Sequence, residues 1–174
     1  MKRLRRKCLL LALLLLTACS LLTGCISRNK PLQEGESAYQ VYYLNSAMTK
    51  LVPQEYRTMT QDTELLVEEL MLAFRNVPAD LDCQGALSEK VAYQGYKRAD
   101  KVLYLYFDNN YTSMPSYREV LCRAALVKTL TQIVDVDHVS IYCGEQPLMR
   151  TDGVPVGMMT ATDFVDSISD VNAY

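Results

Sequence analysis

A basic cluster followed by an apolar run occupies the first 26 residues and divides the chain into a hydrophobic leader and a polar remainder. The cluster consists of Lys2, Arg3, Arg5, Arg6 and Lys7. A positive segment before a short apolar core, here residues 8–16, is typical of a secretory signal. The roughly 140–150 residues that follow are long enough to bury a core without disulfides or metals, so we expect one folded domain.

The leader contains two candidate lipidation sites. Residues 22–25, Leu-Thr-Gly-Cys, have the small-residue pattern of a bacterial lipobox, in which the peptide is cut before a cysteine that carries diacylglycerol. Residues 16–19, Leu-Thr-Ala-Cys, also satisfy the pattern, but cleavage before Cys19 would leave two leucines where a solvated tether is expected. We therefore favour Cys25 as the lipidated residue and residues 1–24 as a lipoprotein signal peptide.

An uncleaved transmembrane helix is the alternative interpretation of the leader. Residues 8–26 are mostly apolar, and a bilayer core requires about 20 such residues. In both cases the basic residues hold the N-terminus inside, which places the domain outside the cytoplasm. Two acyl chains give the stable anchoring that one chain does not. We therefore expect the protein to associate with the cell membrane through this lipid anchor, on the extracytoplasmic face.

The charge of the mature chain argues against nucleic acid as a partner. Loss of residues 1–24 removes five basic and no acidic residues, so the net charge changes from −2 to −7. Sequence-independent binding to phosphates needs clustered cations. The mature chain carries only scattered ones such as Lys97, Arg98 and Lys101.

Three of the six cysteines remain after the leader and anchor are assigned: Cys83, Cys122 and Cys143. Their spacing lacks the close pairs of zinc or redox sites, and they lie in apolar patterns, so we interpret them as small buried hydrophobic residues. One disulfide plus one free thiol stays open, because an exported chain permits disulfides.

The polar composition of residues 25–37 predicts a lipid-anchored polar tether, followed by a domain over residues 38–165 and a C-terminal tail over 166–174. Aromatic and β-branched residues predict strands over 39–44 and 51–58. Pro53 limits the second strand to a sheet edge.

The first helix is predicted from a cap and a periodic apolar stripe. Asp62 suits the N-cap position, and apolar residues from Val67 to Phe74 recur at i, i+3, i+4 and i+7. This spacing predicts an amphipathic helix with Glu68 and Glu69 on the wet side.

Three further segments are read as strands and one as a turn. Residues 101–107 are apolar at nearly every position, which predicts a central strand with cover on both faces. Residues 139–143 predict a final strand. The region between the first helix and the central strand is less regular: residues 79–84 look like a loop, 86–93 a strand and 95–100 a turn.

A second helix is predicted from Ser116 to about Val134, since Ser116 and Glu119 have capping-box spacing. One buried stripe would contain Val120, Ala124, Val127, Thr131 and Val134. The element order is β-β-α-(β)-β-α-β, and each helix needs a sheet face. We therefore expect an α+β two-layer sandwich with a mixed sheet and two main helices.

The sequence indicates no catalytic, cofactor-binding or metal site, because none of the hydrolase, metalloprotease, P-loop or dinucleotide motifs occurs. His138 is the single histidine, at the entrance to a strand. Asp108 is the first candidate carboxylate for a glycosidase-type pair, although Asp108 to Asn110 and Asp152-Gly153 also have ordinary turn chemistry. Twelve tyrosines allow a recognition face, but Tyr104 and Tyr106 lie in the central strand, where packing is expected.

These segments closely resemble the GerMN domain of sporulation and spore-germination proteins of endospore-forming Firmicutes. The most specific marks are the Thr-Leu-Thr of residues 129–131, the V-x-I-x-x-G of 139–144 and the G-x-x-P-L of 144–148. The lipoprotein signal and residues 41–44, 64–74, 102–107 and 125–131 agree with this family as well.

The resemblance implies a non-enzymatic extracytoplasmic module with a compact fold similar to ring-building motifs. It favours interaction with an envelope protein or self-assembly, with sporulation or germination as the setting, although the sporulation protein carries a tandem pair and this chain one copy. Two alternatives remain: a lipoprotein that binds cell-wall glycan or a solute, and an extracytoplasmic hydrolase that uses carboxylates.

The anchor assignment predicts a labelling result. Growth with a radioactive fatty acid should label the protein, and Cys25→Ala should abolish the label because the thiol that accepts the diacylglycerol is lost. Cys19→Ala is the matched control and should keep the label. Label that persists in Cys25→Ala would reject Cys25 as the anchor.

Overall fold

The computed structural model describes residues 31–77 and 82–165; the leader, Cys25 and the tail 166–174 lie outside this range. In the unit that begins at Glu34, the described elements are β1 Ser37–Asn45, β2 Leu51–Thr58, α1 Thr63–Arg75, β3 Cys83–Gln84, β4 Tyr93–Ala99, β5 Val102–Phe107, α2 Ser116–Leu130, β6 His138–Cys143 and β7 Gln146–Pro147. Short 3-10 helices span Asn109–Ser113 and Ala161–Asp163. No helix in the described ranges is both long and apolar enough to cross a bilayer.

The strands form two sheets. The first has the order β2-β1-β3 and is antiparallel, and the second has the order β4-β5-β6-β7. The second sheet is mixed, since β5 and β6 are parallel while their outer neighbours pair antiparallel. The predicted α+β class with two main helices is confirmed. The division into two sheets was not predicted.

The first sheet follows the sequence closely. β1 and β2 pair in continuous register from Ser37 with Thr58 to Leu44 with Leu51. The turn between them is held by Asn45, whose side-chain oxygen accepts hydrogen bonds from the backbone of two residues in the turn. β2 is an edge strand, as Pro53 predicted.

Helix α1 begins at the predicted cap, because Asp62 accepts a hydrogen bond from the Leu65 amide at 2.9 Å. Its buried residues are Leu66, Val67, Leu70, Met71 and Phe74. Glu68 is exposed as predicted, but the placement of Glu69 on the wet side is wrong. Glu69 is half-buried and accepts hydrogen bonds from the Tyr56 hydroxyl at 2.8 Å and the Thr58 hydroxyl at 3.0 Å.

The segment before the central strand differs from the prediction. Residues 95–100 were expected to turn and 86–93 to form a strand, but β4 spans Tyr93–Ala99 and the turn lies at Asp100, with φ 52°. Gly95, with φ 118°, lies at a β-bulge within β4. In the sequence alone, a glycine among polar residues indicates a turn. In the structure, pairing with β5 holds this glycine in a bulge instead. Cys83 and Gln84, expected in a loop, form β3.

Helix α2 is mostly buried, as predicted, but it ends at Leu130. Its buried face does not coincide with the predicted apolar stripe. Val120 and Val134 are exposed, at 39% and 74%. The predicted capping box is also wrong, because Pro115 occupies the N-cap position without a side-chain bond. Glu119 instead pairs with Arg123, with Nε and Oε1 3.1 Å apart and each side chain only 17% exposed.

Two valines of the predicted stripe provide a matched test of this packing. Val127→Ala should lower the free energy of unfolding by about 2 kcal/mol, since two buried methyl groups are lost from a fully buried site. Val134→Ala should change it by less than about 0.5 kcal/mol, because that side chain is exposed. Urea unfolding of both variants measures the difference. Equal losses would contradict the position of α2.

Candidate functional site

The outward face of the second sheet carries an aromatic cluster that no element within residues 31–77 and 82–165 covers. Along β5, Leu103, Leu105 and Phe107 are fully buried, while Tyr104 and Tyr106 point to the opposite face and are half-buried. The prediction of cover on both faces of this strand is therefore not met by the residues that the structure describes. Alternating residues of a strand face opposite sides, and only one side of this sheet borders the hydrophobic core.

Pairing with the neighbouring strands completes the cluster. The parallel register sets Tyr142 of β6 beside Tyr106, with ring centroids 5.4 Å apart, and the Tyr104 and Tyr142 centroids are 6.2 Å apart. On the other side, Lys97 of β4 is opposite Tyr104, and its Nζ lies 5.8 Å from the Tyr106 centroid. We call Lys97, Tyr104, Tyr106 and Tyr142 the tyrosine face.

The hydroxyls of the tyrosine face are available to a ligand. Within the described residues, none of its three phenols has a hydrogen-bond partner, whereas the hydroxyls of Tyr43 and Tyr96 bond to the Ala73 carbonyl and to Glu64. Tyrosine offers a large apolar ring with a polar tip, a combination enriched in binding surfaces. The face can therefore supply apolar contact and hydrogen bonds together.

Lys97 is the cation of this surface that has no carboxylate partner among the described residues. Its neighbour Arg98 pairs with Glu64, with Nη2 and Oε1 2.8 Å apart, and Lys101 pairs with Asp137 at 3.2 Å. Hydrogen bonds from Tyr96 and then Arg98 lower the pKa of Glu64, which keeps that pair charged. The tyrosine face is therefore a locally positive, aromatic surface on an acidic chain.

The polar residues that the sequence singled out have structural roles. Asp108 accepts hydrogen bonds from the Ala92 amide at 3.1 Å and from Asn110 at 2.6 Å, which is the turn chemistry predicted for it. Asp152 pairs with Arg150 and caps a turn. His138 begins β6 and is half-buried. In the described ranges, no three potential metal ligands converge.

Two of the three remaining cysteines are buried thiols. Cys122 on α2 and Cys143 at the end of β6 lie in the hydrophobic core, so their interpretation as small buried hydrophobic residues is confirmed. Burial raises the pKa of both thiols, that of Cys143 to about 12. Cys83 is half-buried in β3.

Comparison with solved structures places this arrangement among GerMN domains. The chain is similar to the tandem GerMN domains of the sporulation protein GerM from Bacillus subtilis, with TM-score 0.58 and 15% identity over 74% of this chain and 47% of that one. It is also similar to the first GerMN domain of that protein, with TM-score 0.55 and 13% identity over 74% and 99% of the two chains. The chain thus spans about half of the tandem structure, and the likeness at these identities concerns the fold.

The family follows from the sequence match. Residues 40–149 match the family Germane, described as sporulation and spore germination, and the chain belongs to this family. The resemblance to GerMN domains inferred from the sequence is therefore confirmed. No curated protein matches the chain.

Burial of the Cys122 and Cys143 thiols predicts that alkylating reagents react with them slowly in the folded protein. At about pH 8 the thiols of Cys122 and Cys143 stay protonated, because their raised pKa values leave little thiolate, and only the thiolate reacts. Iodoacetamide should modify neither residue in the folded protein and both after denaturation. Peptide mass mapping measures this, and rapid modification of either residue before unfolding would contradict the structure.

Proposed function

We propose that this protein is a lipid-anchored GerMN-type module that binds a partner protein at the cell envelope, with sporulation or germination as its setting. In this proposal residues 1–24 are removed, Cys25 carries the lipid, and residues 25–37 tether the domain outside the membrane. The observation that carries the proposal is the tyrosine face: an aromatic, cationic surface that no element in the described residues covers. Membership of the Germane family supports the setting.

The composition of the tyrosine face favours a protein partner. A few buried aromatic and cationic side chains supply most of the energy in protein interfaces, and such residues cluster at the centre of the contact. A tyrosine adds the exposed part of a large ring to an interface with only two rotatable side-chain bonds to order. Because the three tyrosines sit on paired strands and pack against one another, the surface is ordered before a partner arrives.

The tether limits where the partner can be. Thirteen residues, 25–37, extend at most about 45 Å even when fully stretched. A partner must therefore be held in the membrane or present its binding surface close to it. Self-assembly meets this requirement too, because every copy is anchored at the same surface.

Photo-crosslinking from the tyrosine face tests the proposal. The full chain would carry benzoylphenylalanine in place of Tyr106 or Tyr142 in native membranes. We expect a discrete protein adduct from both positions. The control is the same substitution at Glu55, an exposed residue of β2 in the other sheet, which should give no such adduct.

The outcomes separate the alternatives. An adduct of twice the chain mass would identify self-assembly, while one with a second polypeptide would identify a different partner. An adduct that a muramidase destroys and a protease leaves attached would replace the protein partner with cell-wall glycan. The proposal fails if Tyr106 and Tyr142 give the same pattern as Glu55.

A further inference from the structure

The edges of the two sheets differ in whether another strand can pair with them. β2 carries Pro53, which has no amide hydrogen to donate. On the second edge of the first sheet, β3 covers only the end of β1. The rest of that edge is capped by side chains of the segment 129–132. Gln132 donates to the Gln40 carbonyl and accepts from the Gln40 amide, both at 2.8 Å, as a neighbouring strand would.

The remaining cap on β1 is Thr129, whose hydroxyl accepts a hydrogen bond from the Tyr42 amide at 3.2 Å. In the second sheet, the outer edge of β6 is covered by β7 and by the bridge between Val139 and Met159. These edges are therefore occupied or deprived of a donor. Natural proteins protect edges in such ways because open backbone groups pair with other chains.

The outer edge of β4 has no such cover. In the part of the chain that the structure describes, the backbone of Tyr93–Ala99 makes hydrogen bonds only to β5. Its second half, Lys97 to Ala99, is exposed. This open edge is continuous with the tyrosine face, because Lys97 belongs to both.

We propose that β4 accepts an extended segment of the partner protein as an added strand whose carboxylates face Lys97. This inference rests on the proposed function, since it names the chemistry of the same partner. Main-chain hydrogen bonds would supply affinity, and alternate side chains would supply specificity. Carboxylates on the side of the tyrosine face would meet Lys97, the cation without a carboxylate partner in the described residues.

The other side of the added strand needs neutral residues. Tyr96 points to that side of β4, and its hydroxyl lies 2.7 Å from the Glu64 carboxylate. On that side the cation Arg98 already pairs with Glu64, with Nη2 and Oε1 2.8 Å apart, so a further carboxylate would gain less there than at Lys97. The segment that fits therefore alternates acidic residues with neutral ones, in step with the two-residue period of a strand.

The same features oppose pairing of β4 with itself. Two β4 edges brought together would juxtapose two Lys97 side chains, and the bulge at Gly95 interrupts a flat edge. Lysines and bulges are the devices by which edge strands avoid their own copies. The edge therefore favours an acidic segment over the β4 strand of a second copy of this chain.

Peptide binding to the full chain in lipid nanodiscs tests this inference. The probe is a short fluorescent peptide of alternating glutamate and threonine, and the matched control peptide alternates lysine and threonine. Fluorescence anisotropy should detect binding of the acidic peptide only. Hydrogen exchange followed by mass spectrometry should show that the acidic peptide slows exchange in residues 93–99.

Two variants and one modified peptide separate charge from strand pairing. Lys97→Glu should weaken binding of the acidic peptide at least about tenfold, because attraction becomes repulsion, whereas Lys97→Arg should retain it. Lys50→Glu, an exposed lysine in the turn between β1 and β2, is the charge-matched control and should have no effect. Methylation of alternate backbone nitrogens in the peptide should abolish binding, since it removes hydrogen-bond donors while it keeps the carboxylates.

Three results would overturn the inference: equal binding of the acidic and basic peptides, unchanged binding in Lys97→Glu, or unchanged binding of the methylated peptide. In each case a crosslink from Tyr106 or Tyr142 to a protein would leave the proposed function intact. Loss of the crosslink with peptide binding retained would instead reject the proposed function alone.

Discussion

The parallel pairing of β5 with β6 is the interaction on which the rest of the structure depends. It joins the hydrophobic core to the surface within single strands, because each strand sends alternate residues to opposite sides. The inner residues, among them Leu105 and Ile141, lie in the core that both helices also enter. The outer residues Tyr106 and Tyr142 meet on the side opposite the core, at the same register position. The register of β5 with β6 thus determines both which residues enter the core and which form the candidate binding surface.

Side chains of α2 connect this pair to the other parts of the domain. Arg118 donates hydrogen bonds to the backbone carbonyls of residues 85–87, which directly follow β3, at 2.9 to 3.2 Å. Beyond the other end of the helix, Gln132 caps the edge of β1. Polar side chains of α2 and of the segment after it thus satisfy backbone groups of the loop after β3 and of β1.

A locally positive surface on an acidic chain has consequences for partner choice. In the proposed interaction, long-range repulsion would disfavour strongly anionic polymers, while a short-range contact at Lys97 would favour a well-placed carboxylate. The family match does not specify the residues of this surface, and the structural likeness to GerMN domains, at 13–15% identity, concerns only the fold. Its chemistry comes from the residues of this chain.

Local signals in the sequence were sufficient for much of the fold. Asp62 predicted the start of α1 and Pro53 the edge position of β2, because a cap and a missing donor act on neighbouring atoms. The errors occurred where distant contacts outweigh local preference. Gly95 lies in a bulged strand because β5 pairs with it, and Glu69 is half-buried because β2 brings Tyr56 and Thr58 to it.

The sequence by itself determined the α+β class, the central position of residues 102–107 and membership of the Germane family, since each depends on composition, periodicity or matching residues along the chain. Only the tertiary structure decided that Tyr104 and Tyr106 face outward, that Tyr142 and Lys97 join them, and that no other described strand pairs with the outer edge of β4. Which side of a strand is covered depends on where the helices pack. The covered face is determined by how the whole core packs, so it cannot be predicted from the sequence of one strand.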